Sequence, residues 1–120
     1  MTPPQARRVA NSHGSWKRIG LVSGQTEIEL DRNKPLIKLS PGSASVTIDT
    51  LSRVVKDGAQ VVFKVAEGDS GSVAFAETGN IRAGGSTLTA NPGDTVKLRY
   101  DSESSATDWT VESFFDSDVN

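Results

Sequence analysis

The sequence predicts a single all-β domain, an antiparallel β-sandwich or barrel-like fold of jelly-roll type. Three observations predict it. Apolar residues alternate with period 2 over 26–30, 45–51, 60–65 and 95–100. Turn signals recur between these runs, at the ~8–12-residue spacing typical of sandwiches. Val leads the apolar residues with 12 copies against 7 Leu, while Ser, Thr and Gly together make 36 of the 120 residues, a composition of strands and tight turns.

The elements follow in order. Ile19-Gly20-Leu21-Val22 is a short apolar run, and Thr26 to Leu30 alternates. Pro35 precedes Leu36-Ile37-Lys38-Leu39, and Ser45 to Leu51 alternates again. Asp57-Gly58 opens the run Gln60 to Val65 as a turn signal. Ser72 to Ala76 comes after the Gly68–Gly71 loop, and a short Asn80-Ile81-Arg82 ends at Gly84-Gly85. Thr87-Leu88-Thr89 leads into Asn91-Pro92-Gly93-Asp94, with Pro and Gly in turn positions. Thr95 to Tyr100 alternates cleanly, and Trp109 to Phe115 closes the domain. Helix periodicity is short throughout, and only Leu51–Lys56 offers room for one turn. The expected inward positions are Val46, Ile48, Val61, Phe63, Val65, Phe75, Val96, Leu98 and Val111, with Lys97 and Arg99 outward.

The chain divides into an extended basic arm over 1–18, a β-domain over 19–115 and an acidic tail over 116–120. The arm holds Arg7, Arg8, Lys17 and Arg18 and no acid, a net of +4. Residues 101–120 hold six acids and no base, a net of −6. The even overall balance excludes a global basic field, so nucleic acid is not an expected partner. No apolar run approaches the ~18 residues of a membrane span, and the polar start lacks the apolar region of a signal peptide. With no cysteine there is no disulfide, thiolate metal site or cysteine nucleophile. A domain this small and unstapled gains stability from oligomer contacts.

Motifs that suggest chemistry have simpler explanations. Gly68-Asp69-Ser70-Gly71 matches the string around the nucleophile of trypsin-like proteases. A nucleophilic serine needs a histidine base oriented by a carboxylate. The single histidine, His13, lies in the arm, outside any strand motif, so no catalytic residue is assigned. A lone histidine is a poor zinc site, and Asp116-Ser117-Asp118 lacks the glycine and glutamate of a calcium loop. No metal and no cofactor is expected, and glycine-rich nucleotide motifs are missing. Trp16, Tyr100 and Trp109 are the rings available to stack on a sugar, although such rings more often cover a core or an interface.

Residues 57–114 carry a recognisable pattern: Asp57-Gly58, Gly79-Asn80-Ile81, Gly93-Asp94-Thr95-Val96, Tyr100-Asp101 and Trp109-Thr110-Val111. This pattern resembles small β-modules of bacteriophage virion proteins, found in tail fibres and in head-decoration (cement) proteins. The resemblance implies a non-enzymatic structural protein, a homotrimer, on the capsid surface of a virion assembled in the host cytoplasm. The major capsid protein or another virion protein would be its partner. Arg7, Arg8, Trp16, Lys17 and Arg18 are the expected docking residues of the arm, with Trp16 as the apolar anchor. Trp109, Phe114 and Phe115 are the expected subunit-interface groups, three aromatics in seven residues. The alternative is a tail-fibre or adhesin module reading host-surface glycan. A glycan hydrolase would need two facing carboxylates, and no pair can be assigned from sequence.

Overall fold

A computed structural model of the protein describes residues 16–31, 34–52, 58–101 and 108–117. The protein is all-β. Eleven described strands run β1 (Lys17–Gly20), β2 (Glu27–Glu29), β3 (Leu36–Ser40), β4 (Ser45–Ile48), β5 (Thr50–Ser52), β6 (Gln60–Val65), β7 (Ser72–Phe75), β8 (Ile81–Arg82), β9 (Leu88–Ala90), β10 (Thr95–Asp101) and β11 (Asp108–Phe115). They form a six-stranded sheet of order β1-β3-β6-β10-β11-β8, a three-stranded sheet β4-β7-β9 and a pair β2-β5.

The pairing corrects the antiparallel expectation. Only β6–β10, β10–β11 and β7–β9 are antiparallel; β1–β3, β3–β6, β2–β5, β4–β7 and β8–β11 are parallel. These are not the ladders of a jelly roll. Parallel neighbours need a crossover of a dozen or more residues, usually a helix. Here the crossover is made of other strands. The chain leaves β3 in the large sheet, passes through β4 in the three-stranded sheet and β5 in the pair, and returns to the large sheet as β6. It then enters the three-stranded sheet again as β7, beside β4. Each of these passes forms one coil, and the coils stack in register.

The registers place apolar residues in ladders across the coils. Ile19 faces Leu39 and Leu39 faces Val65; Ile37 faces Phe63. Val46 faces Val73 and Ile48 faces Phe75. Ile28 faces Leu51. All but Ile19 are buried, and one continuous core cluster draws on all three sheets. The Phe63 and Phe75 rings stack within it at 5.6 Å between centroids. Each such side chain contributes roughly 1.5–3 kcal/mol through its removal from water. Eight of the nine expected inward residues are buried, and Val111 is half-buried. Leu98 is buried while Lys97 is not, as the alternation requires.

Antiparallel strands close the third coil. The reversal before β10 uses Asn91-Pro92-Gly93-Asp94, with Gly93 at φ 92°, a conformation L side chains rarely adopt. Buried Asp94 accepts from the Asn91 N–H at 2.9 Å and from the Ser117 N–H at 3.0 Å. The second of these fixes the start of the acidic tail onto the domain. Across β10–β11, Tyr100 pairs with Trp109, their rings 5.3 Å apart.

Two boundaries move. Among the described residues regular structure begins at Lys17, so Lys17 and Arg18 belong to β1 and not to an irregular arm. Leu51 and Ser52 lie in β5, and the rest of the proposed helical turn lies outside the described residues, as does Asp57.

Candidate functional site: the open edges of the large sheet

The Asp69 carboxylate of the protease-like string is engaged in holding a turn. The Asp69 Oδ2 accepts from the Ser40 Oγ at 2.8 Å and from the Gly42 N–H at 3.0 Å. These two donors hold the Asp69 carboxyl below the ordinary aspartate range, with the Ser40 hydroxyl the stronger influence. Arg18 donates to the same Ser40 Oγ at 3.1 Å. One residue from each coil, Arg18, Ser40 and Asp69, thus forms a polar chain across the stack. Ser70 and Gly71 donate their N–H groups to the Gly42 carbonyl, at 3.1 and 2.8 Å. The protease-like string is therefore a corner seated on the corner of the preceding coil.

Glu77 serves the loop after β8. Its Oε2 accepts from the Ala83 N–H at 2.5 Å and the Gly85 N–H at 2.7 Å, and these donors, Gly85 first, depress its pKa. Glu112 binds Arg99 through a charge-assisted hydrogen bond, takes a 3.1 Å bond from Gln60 and lies 3.7 Å from Lys97. Arg99 is the main cause of its lowered pKa, and in return Glu112 raises that of Arg99. Among the described residues, no three His, Cys, Asp or Glu side chains group as metal ligands, and no helix is long and apolar enough to cross a membrane.

The expected interface residues separate. Trp109 is 1 % exposed and lies wholly in the protein's own core, so it is corrected from interface candidate to core residue. Tyr100 is also buried, leaving Trp16 as the accessible ring of the three proposed for sugar stacking. Trp16 precedes β1 and is 36 % exposed. Lys17 lies 3.7 Å from Asp31. Arg7, Arg8 and His13 lie outside the described residues.

Phe114 and Phe115 stand at the surface, 36 % and 65 % exposed. The register explains both. A bulge at Lys97/Leu98 leaves Glu112 without a register partner on β10 and shifts the strand, so Phe114 faces buried Val96 and Phe115 faces Thr95. Phe114 therefore points to the core side of the sheet at its margin, and Phe115 to the outer side. β8 pairs only with Trp109 and Thr110. Beyond Thr110, β11 has no described strand on its second side. At the other margin of the sheet, β1 pairs only with β3 among the described residues.

No family model matches this chain, and no curated protein matches it in sequence. Among the described residues the large sheet thus ends in two open edges, one carrying Lys17 and Arg18 and the other Val111, Phe114 and Phe115. The sequence does signal the second edge. Two adjacent aromatics after an alternating strand cannot both face one core. The first edge had no such signal, because Lys17-Arg18 resembles the polar arm before it.

Proposed function

We propose that the protein is a non-enzymatic structural subunit of a bacteriophage virion, a homotrimeric head-decoration protein that docks on the capsid through its basic N-terminal segment. One observation carries this reading. The residues of the virion-like pattern are occupied in building the fold: Asn80 bonds to β5, Asp94 ties the turn before β10 to the tail, and Tyr100 packs on Trp109. A pattern occupied in this way specifies a scaffold. What such a scaffold offers to others is its margins, and among the described residues these carry unpaired strand edges and exposed aromatics.

The second reading, a tail-fibre or adhesin module, is favoured by the stacked parallel coils. The first coil leaves β1 and β2 each with one side unpaired among the described residues, and a stack of this kind extends naturally along a fibre axis.

The experiment is binding to phage heads stripped of accessory proteins, with the mass of the free protein measured by sedimentation. Hundreds of copies per head and a trimeric mass are expected for decoration. A few tens of copies confined to the tail would replace decoration by the fibre reading. Deleting residues 1–15, which spares β1, should abolish attachment and leave the β-domain folded. Full occupancy by the truncated protein would move attachment to the β-domain surface.

A further inference from the structure

The two margins of the large sheet are complementary, and we propose that they meet: β1 of one copy pairs in parallel with residues 111–115 of β11 in the next copy. This inference rests on the self-associating reading above and names the contact. Strand direction is the first support. β1, β3 and β6 run parallel, β10 opposes β6 and β11 opposes β10, so β1 and β11 point the same way. A rotation about an axis along the strands therefore brings the β11 edge of one copy beside the β1 edge of another without reversing either. Such a head-to-tail contact closes into a ring when its rotation divides a full turn, and homotrimers are the closure proposed above.

Charge is the second support. β1 carries Lys17 and Arg18 and no acid, whereas 111–116, the part of β11 beyond its pairing with β8 and the residue after it, carries Glu112 and Asp116 and no base. Lys97 and Arg99 of β10 hold Glu112, and Asp31 and Ser40 take Lys17 and Arg18 within the subunit. Both sets remain at the surface, so opposite signs face each other in the head-to-tail arrangement. Two β11 edges meeting symmetrically would set Glu112 and Asp116 against their copies, and two β1 edges would set Lys17-Arg18 against its copy. Like charges directly opposite across strands are destabilising. The third support is apolar. Phe114 lies on the core side of the sheet with β10 on one side and no described strand on the other, and Ile19 is half-buried on the core side of β1. The pairing continues the core from one subunit into the next.

The absence of cysteine makes the test clean. Gly20 has open space around it and an ordinary φ, and Ser113 is exposed, so Gly20→Cys and Ser113→Cys each leave the fold intact. The two full-length variants are mixed, treated with a short thiol–thiol linker and weighed by sedimentation. Oligomers with covalent pairs formed only in the mixture are expected. Oligomers with no mixed pairs, or with Ser113→Cys linking to itself, would overturn this contact and leave self-association standing. A monomer at all concentrations would overturn self-association itself. Arg18→Glu should weaken association by roughly threefold, the scale of one exposed ion pair, and unchanged association would count against the charge argument.

Discussion

The Asn80 carboxamide bonds both backbone groups of Leu51: its Nδ2 donates to the Leu51 carbonyl at 2.8 Å, and its Oδ1 accepts from the Leu51 N–H at 2.9 Å. A side chain here does the work of a strand. β2 pairs with β5, and Asn80 supplies the rung that the third coil would otherwise lack on that face. The backbone N–H of Asn80 in turn donates to the Asp49 carbonyl at 3.0 Å.

Asn80→Ala should therefore cost about 1–3 kcal/mol, because it leaves two part-buried backbone groups of Leu51 unpaired. Urea unfolding at neutral pH measures it. A change near zero would show that water replaces the carboxamide.

Gly79 should tolerate no side chain. A Cβ there would overlap the Asp49 carbonyl oxygen, which is backbone and cannot swing aside. Gly79→Ala should destabilise by about 1–3 kcal/mol, the usual cost of overpacking, and Gly20→Ala, with nothing near its Cβ, should be close to neutral. Thermal melting of the two variants side by side tests the contrast.

The two classes of aromatic should part in the same way. Trp109→Ala empties the core and should cost about 3–5 kcal/mol, enough to unfold a marginal domain. Phe115→Ser should leave the denaturation midpoint of the dilute protein almost unchanged and shift the sedimentation profile toward smaller species.

Acid should loosen the polar chain across the coils. Asp69 is held below the ordinary aspartate value of 3.8 by its donors in the fold, so the folded protein binds this proton less readily than the unfolded chain. The resulting stability is present above that value and is lost as the pH falls through it toward the lowered folded value. Glu77 and Glu112 act in the same direction from an ordinary value of 4.5. Melting temperature against pH should fall in this window for the parent protein. Asp69→Asn should be less stable at neutral pH, and the gap between the two should close on acidification. A constant gap would remove the carboxylate charge from the explanation.

Much of the fold was legible because period-2 alternation has one physical cause, a core on one side of a strand. Val46, Ile48, Phe63, Val96 and Leu98 are buried for that reason. The partners of those strands were not legible. Alternation is the same in parallel and antiparallel ladders, and a turn such as Pro41-Gly42 serves equally to close a hairpin or to carry the chain around a corner. Here Pro41-Gly42 joins β3 to β4 in a different sheet. The run over 45–51 hides a further corner, because Asp49 separates β4 from β5. The candidate edges were half legible. The adjacent Phe114 and Phe115 announced an exposed ring, while the burial of Trp109 depended on a cross-strand Tyr100 that spacing alone cannot pair.

The stacked coils also set an order of events in synthesis. Lys17 pairs with Ile37, Leu36 with Val62 and Ser45 with Ser72, so each parallel rung joins residues at least twenty positions apart. Such distant pairings are slow to find, whereas β10 and β11 need only the short link between them. The hairpin that follows the coils in the chain is then quicker to pair than the coils themselves. The early coils, made first, wait as exposed apolar strands until that hairpin arrives beside β6 to seal them. A chain halted before Thr95 lacks this seal, and it should fall to proteases or to aggregation while a chain that carries the hairpin survives.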